Sequence, residues 1–274
     1  MNSGWGQIFS YLRNQSIGRI PLSEVKIKFK TISNSRVSII TLDRQSKLNA
    51  INTNIADTLK AAFIELKSDE KLRAVILRGA GNKAWVAGAD INEMASLDSS
   101  RKASAFIYRL HSMMQTVRDL PVPVIAQING FCLGAGMELA AACDLRLAGN
   151  SAKFGMLEVQ VGLPSVIEAS LLPVLMGRGR AARLVLTGEI IDARKASEWG
   201  FVEETVDDLD LEAAVNVLVS QICSAAPGAV RMQKKLLRNW EKVSPDEAAL
   251  DSVKNFGDVF KTAEPLEWLG RVKK

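Results

Sequence analysis

A glycine-rich turn follows a buried strand at two places in this sequence, and this repetition restricts the fold more than any other feature. Residues 74–77 form a short apolar run that ends at Gly79, and residues 122–128 form a second run that leads into the stretch 130–136. Helical patterns surround these segments, at residues 53–67, 104–118 and 137–143. Such alternation predicts an α/β core in which crossover helices connect the strands.

The remaining patterns extend this core at both ends. Residues 25–31 and 36–42 are rich in Val, Ile and Phe around Ser33-Asn34-Ser35, which predicts a hairpin. Beyond Pro164 the only strand pattern is 201–206, and the helical segments are 165–175, 179–187, 195–199, 211–225, 228–240 and 245–260. We therefore expect an N-terminal extension over 1–24, an α/β core over 25–205 and a helical C-terminal region over 206–274.

Composition and charge exclude several classes of protein. With 47% hydrophobic and 24% charged residues among 274, the chain is of ordinary globular type. A net charge of +5 spread over this length is not the concentrated basic patch of a nucleic-acid-binding protein. No apolar run approaches the roughly 18 residues of a membrane-spanning helix. We expect neither nucleic acid nor a membrane as partner.

The three cysteines and the single histidine bear on the compartment and on metal binding. Cys132, Cys143 and Cys223 are odd in number and lack metal-ligand spacing, which favours a reducing compartment such as the cytoplasm. Residues 1–23 contain arginine but no acidic residue, so a mitochondrial presequence and hence the mitochondrial matrix are the alternative. The only histidine, His111, argues against a Ser-His-Asp triad or a histidine-rich metal site.

Two main-chain N–H groups are candidates for binding an oxyanion. Ala135, between Gly134 and Gly136, opens a helix directly after a buried strand, where N–H groups have no intrahelical acceptor and attract negative charge. Ala89 follows Gly88 in the other glycine-rich loop and offers a second N–H group. Two donors from separate loops are what an oxyanion hole requires, although a tight turn needed only for packing is the alternative.

Two glutamates adjoin these loops. Glu138 and Glu158 lie in apolar surroundings, where two close carboxylates cannot both ionise cheaply, so one is expected to hold a proton near neutral pH. Such an acid and base, next to an oxyanion site, suit chemistry on the carbon beside a thioester carbonyl. The alternative for Glu138 is a first-turn charge that the helix dipole favours.

Together these segments resemble the enoyl-CoA hydratase/isomerase (crotonase) family over roughly residues 25–274. The resemblance implies a crotonase-like α/β spiral of β-β-α turns with a helical C-terminal trimerisation region, assembled as a homotrimer or a dimer of trimers. The stretches that carry it are residues 47–50, 87–91, 123–130, 134–140 and 143–148, Gly155 with Glu158, and residues 186–189.

The resemblance also implies an activity. The family supplies its oxyanion-hole N–H groups at the positions of Ala89 and Ala135, and its hydratases keep their acid/base pair at the positions of Glu138 and Glu158. We therefore expect an enoyl-CoA hydratase with an acyl-CoA thioester as substrate and no cofactor or metal. The alternatives are an enoyl-CoA isomerase, another acyl-CoA-processing crotonase, or a non-catalytic RNA-binding or scaffold protein. By analogy, the residues bordering the CoA ester are Ala87, Gly88, Ala89, Asp90, Ile91, Gly134 and Ala135.

One segment departs from the family pattern. Hydratases usually carry a glycine-rich Pro-Gly-Ala-Gly-Gly-Thr-Gln-Arg run after the second glutamate, where this chain has Pro-Ser-Val-Ile-Glu-Ala-Ser-Leu at residues 164–171. Because that run lines the acyl pocket in the family, the acyl group is not predicted. Glu168 adds a third carboxylate, which faces the pocket or simply lies on a helix.

Overall fold

The structure is a computed structural model that describes residues 24–272. In this part of the chain, strands β1, β2, β3, β5, β7 and β10 form one sheet in that order, and β4, β6, β8 and β9 form a smaller second sheet. The strands are β1 (Val25–Ile32), β2 (Ser35–Leu42), β3 (Leu72–Gly79), β4 (Ala84–Val86), β5 (Val124–Ile128), β6 (Phe131–Leu133), β7 (Leu145–Gly149), β8 (Lys153–Gly155), β9 (Ile190–Asp192) and β10 (Glu204–Val206).

The helices are interspersed with the strands up to β10, and only helices follow it. They are α1 (Thr53–Lys67), α2 (Ile91–Ala95), α3 (Ser100–Arg118), α4 (Ala135–Ala142), α5 (Leu172–Met176), α6 (Arg178–Thr187), α7 (Ala193–Glu198), α8 (Leu211–Ser224), α9 (Pro227–Trp240), α10 (Pro245–Val259) and α11 (Glu264–Val272). Two 3₁₀ turns, Glu158–Val161 and Ile167–Leu171, lie between β8 and α5.

The hairpin and the first helix lie where the sequence predicts them. β1 and β2 pair antiparallel around Ser33 and Asn34, whose φ angles of 48° and 59° are those of a two-residue hairpin turn. Helix α1 has the predicted bounds 53–67, and the Asn52 side chain accepts the N–H of Ile55 at 2.8 Å as its N-cap. Both elements have strong local signals, namely β-branched alternation and an apolar stripe of helical period.

The large sheet is covered on both faces because alternate residues of its strands are apolar. In β3, Val75 and Leu77 join the main core formed with α1, α3 and α4. Ala74 and Ile76 point the other way and pack with α8. Since α8 lies directly on the sheet, the helical region expected to begin at residue 206 starts in contact with the core.

The structure differs from the sequence-based expectation in several places. Only Glu204–Val206 of the predicted strand 201–206 pairs, and it pairs with β7. The predicted helix 165–175 begins instead as the 3₁₀ turn Ile167–Leu171 before α5. The second sheet was not predicted, because strands of three residues are too short to show an alternating pattern. The expected extension 1–24 lies outside the described residues except for residue 24.

The second sheet determines where the two glycine-rich loops end. β4 and β6 pair in parallel, with Ala84 opposite Phe131 and Val86 opposite Cys132, so both strands finish at the same edge. Residues 87–90 follow β4 at this edge, and Gly134 follows β6. The sheet therefore brings together two loops that are more than 40 residues apart in the chain.

Membrane-spanning potential is confined to one broken pair of helices. Over residues 24–272, none of the single helices is long and apolar enough to cross a bilayer. Helices α8 and α9 meet the requirement only when counted together, and they are bent by 106° where they meet.

Candidate active site

A cavity of about 480 Å³ opens where the two glycine-rich loops meet. Helix α3 and the segment after β8 form its other walls. The sequence-predicted site residues that line it are Ala87, Gly88, Ala89, Ile91, Gly134, Ala135, Glu138 and Glu158. Positions far apart in sequence thus share one cleft, as the oxyanion interpretation requires.

The two loops are in close contact at this edge. Gly134 has φ of +50°, which favours glycine, and a Cβ atom there would lie 2.5 Å from Oε1 of Glu158 and 3.9 Å from Cα of Gly88. Over residues 24–272, neither the N–H of Ala89 nor that of Ala135 donates a hydrogen bond. Ala135 is the first residue of α4, where the main-chain N–H has no intrahelical acceptor. Both donors are available to a ligand in the cleft.

Glu138 is held in its neutral form by its surroundings. Its side chain lies in the first turn of α4 and the residue is only 4% exposed. Burial, together with the negative charges of Glu158 and Glu168, raises the pKa of Glu138 to about 9. The main-chain N–H groups of Ala169 and Val166 favour the ionised form and oppose this rise in the pKa. At neutral pH the Glu138 carboxyl is protonated.

Glu158 lies opposite, at the start of the turn Glu158–Val161. Burial raises its pKa as well, but the Ser165 hydroxyl donates a hydrogen bond to Glu158 Oε2 at 2.7 Å and stabilises the ionised form. Of the two carboxyl groups in this cleft, Glu138 holds a proton at neutral pH, whereas the hydrogen bond from Ser165 favours the ionised form of Glu158. This is the arrangement of one acid and one base that general acid–base catalysis uses.

Asp90 lies beside the cleft but does not line it. Its Oδ1 accepts the N–H groups of Asn92 and Glu93 at 2.9 and 3.0 Å, as the N-cap of α2. Its Oδ2 pairs with the guanidinium of Arg44. Among the predicted CoA-ester residues, Asp90 thus fixes the loop that carries Ala89.

Most of the apolar wall of the cleft was not identified from the sequence, apart from the segment 164–171, which the resemblance places at the acyl pocket. Residues from α2, α3, the loop between them and the segment after Glu158 supply this wall. They are Met94, Leu97, Phe106, Ile107, Leu110, Leu163, Pro164 and Val166. The apolar face of α3 is visible in the sequence, but its spacing does not distinguish a helix packed in the core from one that lines a cavity.

Comparisons with known proteins identify relatives of this chain. The family model for enoyl-CoA hydratase/isomerase matches residues 32–267. The short-chain-enoyl-CoA hydratase of Clostridium acetobutylicum is 34% identical over 230 residues, which cover 84% of this chain and 88% of that protein. The crotonyl-CoA hydratase of Syntrophomonas wolfei is 33% identical over 233 residues, covering 85% and 89%.

A solved structure shares the fold. The enoyl-CoA hydratase from Bacillus anthracis superposes with a TM-score of 0.87 at 32% identity, over 92% of this chain and 96% of that one. The α/β fold of the crotonase type that the sequence predicted is thereby confirmed. Because the family model covers most of the chain, and relatives match over most of their length, this protein belongs to the enoyl-CoA hydratase/isomerase family.

Proposed function

We propose that this protein is an enoyl-CoA hydratase, which reversibly adds water across the α,β double bond of an enoyl-CoA thioester. The observation that carries the proposal is that Glu138 and Glu158 line one cleft together with two main-chain N–H groups that have no acceptor among residues 24–272. An isomerase needs only one carboxyl group to move a proton between carbons, so the second glutamate in the cleft favours hydration.

The N–H groups of Ala89 and Ala135 bind the thioester carbonyl oxygen. They polarise the carbonyl, which makes the β-carbon electrophilic, and they stabilise the negative charge that collects on this oxygen when the enolate forms. The positive end of α4 lies at the same point and adds to the stabilisation.

The two glutamates divide the proton transfers. In hydration, Glu138 takes a proton from water as the water oxygen bonds to the β-carbon, and Glu158 gives a proton to the α-carbon. The pair thus holds one proton before and after the reaction. The free site, with this proton on Glu138, is the state from which dehydration starts; hydration starts after the proton passes to Glu158. The steps transfer only protons and water, so they need no metal or redox cofactor. CoA arrives as part of the substrate.

The cleft fits an apolar acyl group. The only ionisable residues among those that line it are Glu138 and Glu158, and the rest of its wall is largely aliphatic. An acyl chain that ends in a carboxylate would bring a negative charge beside two acids without a cation to pair with it. An unpaired charge in such a place costs several kcal/mol, reduced where water enters.

We therefore expect 2-enoyl-CoA esters with unbranched apolar chains to have kcat/KM at least about 30-fold above that of glutaconyl-CoA, since the acidic chain leaves its charge unpaired. Loss of the conjugated thioester absorbance over a panel of enoyl-CoA esters measures this. Identification of a 3-hydroxyacyl-CoA product separates hydration from isomerisation, which leaves no oxygen at the β-carbon. Absence of hydration across the whole panel would contradict the proposed function.

We also propose that copies of this chain assemble as a trimer or dimer of trimers through α10 and α11. These helices carry large apolar side chains on their outer surface, where a monomer would leave them in water. The exposed residues are Leu250, Val253, Phe256, Leu266, Leu269 and Val272. A contact with further copies would bury this surface.

The double substitution Phe256→Glu with Leu266→Glu is expected to yield a monomer, because it places two charges in the proposed contact. Light scattering after size-exclusion chromatography measures the mass. Glu65→Lys, on the exposed side of α1, is the matched control and should leave the mass of the assembly unchanged. A parent protein that is already monomeric at micromolar concentration would contradict the proposal.

A further inference from the structure

Glu168 is a buried acid that the proposed reaction does not use. It is 2% exposed, lies outside the cleft wall and belongs to the turn Ile167–Leu171. Its Oε1 accepts a hydrogen bond from Nε2 of Gln115 at 2.7 Å and lies 2.9 Å from Nδ1 of His111. Both partners come from α3, so Glu168 connects this turn to a long helix.

A glutamate at this buried position does not raise the free energy of unfolding. Oε2 of Glu168 is buried and has no hydrogen-bond partner within residues 24–272. A buried polar atom without a partner costs about 1–3 kcal/mol, more when it is charged. An apolar side chain of similar volume would avoid this cost. We therefore look for a role of Glu168 in positioning other residues.

The turn that Glu168 belongs to is strained. Ile167 has φ of +41°, in the left-handed region that a β-branched residue rarely adopts. Such a conformation costs about 1–3 kcal/mol and persists only where the surrounding structure enforces it. The bonds from Glu168 to Gln115 and His111 are next to this residue and supply such a constraint.

The same turn reaches the proposed acid/base pair. The main-chain N–H groups of Val166 and Ala169, which flank Ile167 and Glu168, act on the Glu138 carboxyl group and lower its pKa. The turn also packs on α4, which carries Glu138, and on α3. The direction of these two donors, and so the position of Glu138, depends on how the turn is fixed.

We propose that Glu168 is a positioning residue: by bonding to Gln115 and His111 of α3, it holds the strained turn so that the N–H groups of Val166 and Ala169 orient Glu138. This inference rests on the proposed function for its kinetic consequence. Glu168 does not touch the substrate, and its effect passes through main-chain donors.

Glu168→Ala removes the connection and is expected to lower kcat for hydration about tenfold, with KM changed less than about threefold. Misplacing a catalytic group by about 1 Å can cost up to about 10²-fold, whereas the cleft that binds the acyl chain is left in place. Glu168→Gln keeps the shape and one accepting oxygen, so its kcat should stay within about threefold of the parent value.

Gln115→Leu removes the same connection from the side of α3 and leaves the sequence of the turn unchanged. Its kcat should also fall. Combining it with Glu168→Ala should cost less than the sum of the two separate losses, since both remove one interaction. The matched control is Asp144→Asn, which weakens the ion pair with Lys234, whose Nζ–Oδ2 distance is 2.6 Å, far along the chain from the turn. It should lower Tm while leaving kcat unchanged.

Amide hydrogen exchange of a peptide spanning residues 164–171 gives a readout that is independent of turnover. In Glu168→Ala and in Gln115→Leu, this peptide should exchange faster than in the parent, with peptides of the large sheet unchanged. Unchanged protection, or a kcat loss in Glu168→Gln equal to that in Glu168→Ala, would overturn the positioning role. A parent that fails to hydrate any enoyl-CoA would instead remove the proposed function and leave the exchange result to decide the role of Glu168.

Discussion

Glu158→Gln is expected to lower kcat for hydration by roughly 10²–10⁴-fold, because an amide cannot give a proton to the α-carbon. Glutamine has the shape of glutamate and can still accept the hydrogen bond that Ser165 donates at 2.7 Å, so the cleft should keep its form. KM should change less than about threefold. The measurement is steady-state hydration of the best substrate of the enoyl-CoA panel.

Glu138→Gln should cause a loss of similar size, since water then lacks the group that takes its proton. The double variant should lose little more than the worse single variant, because acid and base act as one unit. Glu189→Gln, which changes a carboxylate paired with Arg183 outside the cleft, is the matched control and should retain activity. Near-parental turnover in both cleft variants would remove the acid/base assignment.

The pH dependence gives an independent check of the same pair. The active form of the pair holds one proton, so kcat/KM should follow a bell whose alkaline limb lies near pH 9, where Glu138 loses its proton. In Glu138→Gln the alkaline limb of the residual activity should no longer lie near pH 9, because it then reports Glu158 alone. An alkaline limb that persists at the same pH would show that another group controls it.

The thermal stability of Glu138→Gln should show whether its loss of activity comes from lost chemistry or from unfolding. The pKa of Glu138 is raised to about 9 in the folded protein from an ordinary 4.5, so between these values the folded state holds more protons than the unfolded state. The free energy of unfolding therefore decreases as pH rises through this window. Because glutamine does not titrate, Glu138→Gln should have a Tm at pH 8 no lower than that of the parent.

The elements that the sequence predicted well are those whose signal is local. Helix α1 has six buried positions on one stripe, and the hairpin β1–β2 has a turn that its own residues specify. The two glutamates were identified because an acid inside an apolar run is unusual on its own. Their shared cleft also followed from family resemblance, which carries long-range information that composition and spacing lack.

The features that escaped prediction depend on contacts between distant segments. The sequence around His111 does not indicate its partner, whereas in the structure its Nδ1 lies 2.9 Å from Oε1 of Glu168, 57 positions along the chain. The three-residue strands β4 and β6 are recognisable only once they pair, and this pairing brings Ala89 near Ala135. No periodicity within either segment encodes such a pairing.

The oxyanion hole provides the second large effect. Ala135→Pro removes one N–H donor from the cleft, and kcat for hydration should fall by roughly 10²–10³-fold, the loss typical of one missing oxyanion donor. Proline is well tolerated at the first position of a helix, where the N–H makes no intrahelical bond. Gly134 precedes it and has no Cβ, which relieves the usual clash with the proline ring.

Arg178→Pro is the matched control for this substitution. Arg178 is also the first residue of a helix, α6, and follows Gly177, which has φ of +83°, but it lies outside the cleft. Both proline variants should fold with similar Tm, whereas only Ala135→Pro should lose turnover, because only that N–H faces the developing negative charge. Equal activities of the two variants would mean that the N–H of Ala135 does not stabilise the enolate oxygen. Another donor in the cleft would then have to do so.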